Sequence, residues 1–508
     1  MRSIRSSESR STEQDDMARD RARETEARLS LSDLGDMSPE EFRRHGHDVV
    51  DWIAEYLQNV DSYPVLPSVN PGDVRRELEQ VVKGGAEPFQ RLLEDFDNTV
   101  IPGITHWNHP GFFAYFPTSA SGPGILAEML SAAVNVNAMM WKSSPAGTEL
   151  EEHTLDLLRG LVGLPDGFFG TINDTASSSS LYALAAAREA ALPTAREHGL
   201  FGTVPGRIYA SEESHSSIDK AAITLGFGLE GVRRIGTDDQ FRMDPDALRQ
   251  AVAADIGRGV RPVAIVATLG TTSTSSVDPV NDLADIAAEH DTWLHVDAAY
   301  AGPAAIVPEL RHHFVGWERA DSIVINPHKW LFTPIDCSVL YCRRPEQLRQ
   351  AFSLTPEYLK TEEHETATNL MDYGVALGRR LRALKLWFVL RYFGSEGIAD
   401  RLRVHCRLAA EFASRVEREP GWRVVAPVPF STVAFRFCPT DDDGATDAAD
   451  RINLAILERV NASGEVFMSH TRVNDRIVLR LCVANLRTKE AHVDRAWELL
   501  REAATTVV

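Results

Sequence analysis

Residues 174–184 read DTASSSSLYAL. Four consecutive serines, Ser177 to Ser180, have the composition of a solvated connector. Immediately after them LYALAAAREAAL is a strongly helix-forming run. A Ser/Thr-rich turn that opens directly onto a helix is also a way to hold a phosphate, because the first helical N–H groups are unpaired and point outward. Whether the stretch is a spacer or a phosphate cup depends on what surrounds it.

Composition sets the outer bounds. A chain of 508 residues has room for about three average domains. Hydrophobic residues make up 44% and charged residues 25%, as in ordinary globular proteins. A formal charge of −20 opposes nucleic acid or an anionic membrane as partner. No apolar run reaches the length of a membrane span. The charged N-terminus lacks the apolar centre of a secretory signal. Five cysteines, odd in number and without a CxxC pair, argue against a disulfide framework or a zinc site and for a cytoplasmic protein.

Outward from the serine run, apolar strand-like segments alternate with helical ones: RIYASEES, VRRIGT, PVAIVATLG, TWLHVDAAY, SIVINP and CSVLYCR. Such alternation predicts an α/β fold with a largely parallel sheet, whose functional groups gather beyond the carboxyl ends of the strands. Upstream, SPEEFRRHGHDVVDWIAEYLQNV predicts a helix with Ser38 as N-cap and Pro39 as its first residue. Its apolar stripe (Phe42, Val49, Trp52, Ile53, Tyr56 and Leu57) has no core of its own to join. Four regions are expected: a disordered or fraying extension over 1–36, an N-terminal helical segment over 37–120, a large α/β domain over 121–400, and a small α+β domain over 401–508.

Several motifs carry little. GFGLEG, residues 226–231, matches GxGxxG but comes after a helical stretch and precedes a strand, the reverse of the dinucleotide-binding order. His312 and His313 read as surface residues, and no metal site is expected. Three strand ends carry more. Asp297 ends the apolar run of LHVDAAYAG, where a carboxylate alone reads equally well as a turn cap. Lys329, in SIVINPHKWLF, has apolar sequence on both sides, although a lone lysine is usually solvated. A desolvated lysine loses its proton more readily and attacks carbonyl groups. His215, in SEESHSSIDKA, alone reads as a structural hydrogen-bonding residue.

Together these residues have one economical explanation. An amine to bond an aldehyde, a carboxylate to keep a pyridine nitrogen protonated and a serine-rich helix start for a phosphate are the requirements of pyridoxal 5'-phosphate. Lys329 bonds the aldehyde and Asp297 pairs with the ring nitrogen. His215 stacks on one ring face, and Ala299 leaves room on the other. Thr175, Ala176 and Ser177 meet the phosphate. On this reading residues 174–184 form a cup.

The chain also carries THWNHPGFFAYFPT, SSPAGTELE, SHSSIDKA, VATLGTTSTSSVD, LHVDAAYAG, NPHKWLF and LGRRLRALKLWFVLR in order. With these motifs it resembles the group II pyridoxal-phosphate decarboxylases, and within them the aromatic-L-amino-acid decarboxylases. The similarity runs from about Met37 to the C-terminal helix. It implies fold type I, the aspartate-aminotransferase-like fold, and a homodimer with active sites at the subunit interface, the N-terminal helices clasping the partner. Carried over by position, Lys329, Asp297 and His215 keep the roles given above. Ala176, Ser177 and Asn326 resemble phosphate-site residues with His328 close by, and Thr272 resembles a cofactor contact. Trp107, Tyr115, Pro117 and Thr118, together with Met139 and Gly378, resemble the substrate side. Tyr358, within a polar segment over 354–374 that suits a lid, stands where the decarboxylases place a catalytic tyrosine.

The resemblance implies decarboxylation of an aromatic L-amino acid to an amine and CO₂, with tryptophan or phenylalanine favoured and tyrosine or dopa open. Related aldehyde synthases carry phenylalanine at the position of Tyr358, so decarboxylation with oxidative deamination is the alternative that Tyr358 disfavours. A non-catalytic homologue is disfavoured by the presence of Lys329, Asp297, His215 and Tyr358 together. An acidic substrate would need a basic clamp, and neither AYFPT nor NAMMW supplies one. Four positions depart from the pattern of relatives. Asn137 and Met139 replace an aliphatic and an aromatic residue of the animal enzymes, and Asn108 replaces a histidine. Asp174 replaces a glycine beside the phosphate turn.

Overall fold

The computed structural model describes residues 35–81, 86–354, 367–438 and 447–507. Tyr358 and most of the 354–374 segment lie outside the described residues, as does nearly all of the 1–36 extension.

The larger of two compact units spans Val60–Pro67 and Thr105–Val508. Its main sheet has seven strands: β1 (Phe169–Asn173), β2 (Gly206–Ser211), β3 (Val232–Ile235), β4 (Arg261–Thr268), β5 (Trp293–Asp297), β6 (Ser322–Ile325) and β7 (Ser338–Cys342). Their order across the sheet is β3-β2-β4-β5-β6-β7-β1. The pairs β3/β2, β2/β4, β4/β5 and β5/β6 are parallel. Strand β7 alone runs against its neighbours β6 and β1. β4, β5 and β6 are buried almost throughout, as strands covered on both faces must be. β1, with the sequence FGTIN, gives little signal because it is short and contains a glycine. That glycine is required: a Cβ at Gly170 would lie 2.9 Å from a Leu155 side-chain carbon and 3.1 Å from the Tyr341 ring.

Because β1, β4, β5 and β6 share one direction, their carboxyl ends lie along one edge of the sheet. Asn173, Thr268, Asp297 and Asn326 are therefore brought together from distant parts of the sequence. GFGLEG leads through a short turn at Leu229–Gly231 into β3 and joins no such edge.

The long helix Arg382–Arg418 is interrupted at Gly394, whose φ of 66° no helical residue adopts. Beyond it a second, antiparallel sheet forms from β8 (Trp422–Val424), β9 (Thr432–Phe437), β10 (Ser469–Val473) and β11 (Arg476–Cys482), in the order β10-β11-β9-β8. Phe412, Trp422, Phe435, Leu479 and Trp497 fill its core. Phe113 belongs to this core too, and its backbone bonds both Phe467 and Cys482. The stretch 105–120, grouped with the N-terminal helices from sequence, is thus part of the larger unit and holds no helix.

Among the described residues, the smaller unit covers those up to Asn59 and those within Ser68–Ile104. Ser38 and Glu41 form a reciprocal cap at the start of the helix Pro39–Asn59: Ser38 Oγ accepts from the Glu41 N–H at 3.2 Å, and Glu41 Oε2 accepts from the Ser38 N–H at 3.2 Å. No residue of this 21-residue helix is buried, and Phe42 is 66% exposed.

Candidate active site

The serine-rich turn begins at the end of β1. Asp174 Oδ1 accepts the Thr175 N–H at 2.6 Å. Thr175 is extended, with φ −130° and ψ 163°, and the helix Ala176–Ala191 begins after it. Ser179 N–H is the first to reach back one turn, to the Thr175 carbonyl at 3.0 Å. The N–H groups of Ala176, Ser177 and Ser178 have no carbonyl one turn earlier, which leaves a donor cluster at the positive end of the helix dipole. The serines divide their work. Ser177 faces a cavity, whereas Ser179 and Ser180 are buried. Ser179 Oγ lies 2.9 Å from Ser338 Oγ and accepts from Asn173 Nδ2 at 3.1 Å. Ser180 Oγ lies 3.0 Å from His295 Nε2.

A cavity of about 240 Å³ opens at this edge of the sheet. It brings together Thr175, Ala176, Ser177, His215, Thr272, Asp297, Ala299, Asn326, His328 and Lys329, and adds Phe116, Thr268, Gly270 and Tyr300, which sequence alone did not single out. Burial lowers the pKa of the Lys329 amine, with Asp297 opposing the shift and the Arg480 guanidinium adding to it. Burial likewise lowers His215 below the ordinary imidazole range, against the pull of Asp297. The His215 Nδ1 accepts from the Ser217 N–H at 3.1 Å, which fixes the ring. His328 is pushed down to about 3 by burial, and its Nδ1 accepts from the Cys337 N–H at 2.9 Å. Asp297 is 6% exposed and caps its own turn, Oδ1 accepting from the Ala299 N–H at 3.1 Å. Its turn-capping and cavity-lining roles therefore coexist.

One wall is aromatic. The Phe116 ring stacks on Tyr300 at 3.8 Å, and Tyr300 stacks on Trp330 at 4.9 Å. Lys329 Nζ lies 5.2 Å from the Phe116 centroid and the Arg480 guanidinium carbon 4.6 Å from it. Arg480 is 3% exposed. Its Nη1 donates to the Tyr115 carbonyl, while Nε and Nη2 are buried with no protein partner. The signal for Arg480 was present in RIVLRLCV, a charged residue inside an apolar strand, which is the same kind of signal that singled out Lys329.

The expected substrate-side residues fall in two places apart from this lining. Trp107 and Tyr115 stack with centroids 6.0 Å apart, and Tyr115 is half exposed with φ 52°. Pro117 is buried and Thr118 half-buried beyond them. Of the AYFPT strip, Phe116 is the residue that lines the cavity. Met139 and Gly378 meet through Asn137, whose Oδ1 accepts the Arg379 N–H at 2.9 Å and whose Nδ2 lies 3.5 Å from Met139 Sδ. A Cβ at Gly378 would lie 3.8 Å from Asn137 Nδ2.

The residues present fit pyridoxal phosphate. Asn326 Oδ1 and Thr268 Oγ1 are buried without a partner and belong to residues lining the same cavity as the desolvated Lys329 and the open helix end. Buried polar atoms of this kind mark a missing partner. Among the described residues no cluster is suited to a metal ion.

Comparison with known proteins agrees with this chemistry. Residues 71–438 match the family described as the pyridoxal-dependent decarboxylase conserved domain. Tyrosine decarboxylase 1 of Narcissus pseudonarcissus is 38% identical over 503 residues, covering 96% of this chain and 97% of that protein. Phenylacetaldehyde synthase of a Rosa hybrid cultivar is 37% identical over 487 residues, covering 93% and 95%. The crystal structure of Oryza sativa TDC with PLP and tryptamine superposes with a TM-score of 0.89 at 38% identity, covering 93% of this chain and 99% of that one. With the sheet order of fold type I, the lysine, carboxylate and open helix end at one sheet edge, and a family match over most of its length, this chain belongs to the pyridoxal-dependent decarboxylases.

Proposed function

We propose that the protein decarboxylates an aromatic L-amino acid to its amine and CO₂, using pyridoxal phosphate held by Lys329. The observation that carries this reading is the convergence of Lys329, Asp297 and the open helix end on a cavity with an aromatic wall. Similarity to a tyrosine decarboxylase and to a structure holding tryptamine supports the aromatic substrate. When bound, the cofactor supplies an electron sink for the Cα bond that breaks.

The protein's residues do the rest. Ala176 and Ser177 hold the phosphate through backbone N–H groups and the serine hydroxyl, with the Asn326 carboxamide beside them. Asp297 would pair with the ring nitrogen and keep it protonated, which would make the sink effective. Lys329, whose charged form burial disfavours, would be the residue that bonds the cofactor's aldehyde. His215, held by Ser217 and lining the cavity, would stack on one face of the cofactor ring. The Phe116–Tyr300 wall excludes water. Arg480, with two guanidinium nitrogens unpaired beside that wall, adds positive charge there that would help orient the substrate carboxylate; orientation decides which Cα bond breaks. Tyr358, outside the described residues, is the proton donor to Cα.

The protein acts as a homodimer. The helix Gly122–Val134 buries Gly124, Ala127 and Ser131 but leaves Leu126, Leu130 and Val134 more than half exposed. An apolar face of that kind is covered in a working assembly. The five free thiols suit a cytoplasmic setting.

The second reading is an aldehyde synthase, favoured by the similarity to phenylacetaldehyde synthase. Mass spectrometry of products from holoenzyme given L-tryptophan, L-phenylalanine, L-tyrosine and L-dopa separately under air decides between them. Amine with CO₂ is expected. Aldehyde with peroxide would establish the second reading, and no product from any of the four would overturn both.

A further inference from the structure

Beneath the phosphate cup lies a buried polar chain that the reaction does not use directly. Trp293 Nε1 donates to Ser322 Oγ at 2.8 Å, Ser322 Oγ lies 2.9 Å from His295 Nδ1, and His295 Nε2 lies 3.0 Å from Ser180 Oγ. Ser180, His295 and Ser322 are fully buried and Trp293 is 2% exposed. A neutral imidazole donates through one nitrogen and accepts at the other, so it can join two hydroxyls without leaving either unpaired. Burial holds His295 neutral by lowering its pKa to about 4.

The chain joins two parts of the cofactor site. Ser180 stands four residues after Ala176, one turn into the helix whose open end forms the cup. His295 stands two residues before Asp297 on β5, so both side chains point to the same face of the sheet. The distance between the phosphate donors and the carboxylate is thereby bridged by one hydrogen bond, from His295 to Ser180. Ser179 anchors the same helix to β1 and β7 but not to β5.

We propose that His295 and Ser180 are positioning residues for pyridoxal phosphate, setting the spacing between the phosphate cup and Asp297. The proposal rests on the assignment of Ala176 and Ser177 to the phosphate, and its test separates the two claims. Apoenzyme carrying Ser180→Ala, His295→Gln or Ser177→Ala is titrated with pyridoxal phosphate, reading the dissociation constant and the visible absorption band of the bound cofactor. Thermal unfolding of each apoprotein is measured in parallel. Loss of a buried hydrogen bond typically corresponds to about tenfold in an equilibrium constant. Ser180→Ala is therefore expected to weaken cofactor binding about tenfold and to shift the visible band, with a folded apoprotein. His295→Gln, which keeps a donor and an acceptor, is expected to retain more of the affinity than Ser180→Ala. If Ser177→Ala weakens binding but Ser180→Ala leaves both the affinity and the band at wild-type values, the positioning role is overturned and the cup stands. If neither variant changes binding, the cup assignment fails as well.

Discussion

The rings of Phe116 and Tyr300 lie 3.8 Å apart and within 11° of parallel, although they come from distant parts of the chain. Phe116 belongs to an irregular strip whose backbone is tied to β11, and Tyr300 to the turn after β5. Their stack gives Lys329 an apolar neighbour at one edge of the sheet. It explains why an amine here is desolvated although it lines a cavity.

Phe116→Ala removes this wall. Water then reaches Lys329, and the cavity loses its aromatic wall. The value of kcat/KM is expected to fall roughly 10- to 100-fold, the size expected for losing a large aromatic contact and its desolvation, while Phe116→Tyr keeps most of the activity. Steady-state kinetics on both variants checks this, and equal losses would count against the wall.

Asp297→Asn replaces the carboxylate by a neutral amide that cannot hold a proton on the ring nitrogen. Turnover is expected to fall by about 100-fold or more, as for loss of a major charge-stabilising group, with cofactor still bound. Measuring kcat alongside cofactor content separates this from simple loss of the cofactor.

Asp174 tests how a negative charge beside the cup is tolerated. Its carboxylate takes up the Thr175 N–H, and it also acts on Arg382, whose guanidinium is paired with Asp336 at 2.8 Å. The charge is turned toward its own backbone and partly offset, yet it still opposes a phosphate. Asp174→Asn is expected to tighten pyridoxal phosphate binding about threefold, a size consistent with a partly screened charge. Weaker binding would mean that Asp174 organises the turn more than it repels the ligand.

How legible was all this from sequence? Lys329 and the serine turn stand out because each breaks a local pattern: charge within apolar sequence, or serines before a helix; Asp297 and His215, each of which alone reads as a structural residue, take on meaning only beside them. Six of the seven main-sheet strands stand out by apolar runs. β1 does not, since FGTIN is short and depends on Tyr341 and Leu155 to justify its glycine. Phe116 and Tyr300 look like ordinary core residues, and only folding shows that they meet. Ser179 and Ser180 read as polar connectors because their partners, Ser338 and His295, lie far along the chain.

Stability should depend on pH with a definite sign. His295 and His405 are lowered to about 4 and His328 to about 3 by burial, from 6.5. His109 and His313 are likewise lowered to about 4 by burial. Between about pH 4 and 6.5 the unfolded chain therefore binds more protons at these histidines, and their contribution to stability rises with pH. Asp278 works the other way: burial raises it from 3.8 to about 7, so the folded state keeps a proton that the unfolded state has lost. Lowered buried histidines outnumber Asp278, so the unfolding free energy of the apoprotein is expected to rise with pH across that window. Denaturant unfolding at several pH values checks the slope, and a flat or falling profile would show that other groups dominate.

Every step of the proposed reaction depends on Lys329, in this cavity, being the residue that bonds the cofactor. Borohydride reduction of the holoenzyme, with proteolysis and mass spectrometry, reads that bond out. One cofactor-modified peptide, carrying its adduct on Lys329, is expected. An adduct on any other lysine, or none on a protein that has taken up cofactor, would contradict the assignment.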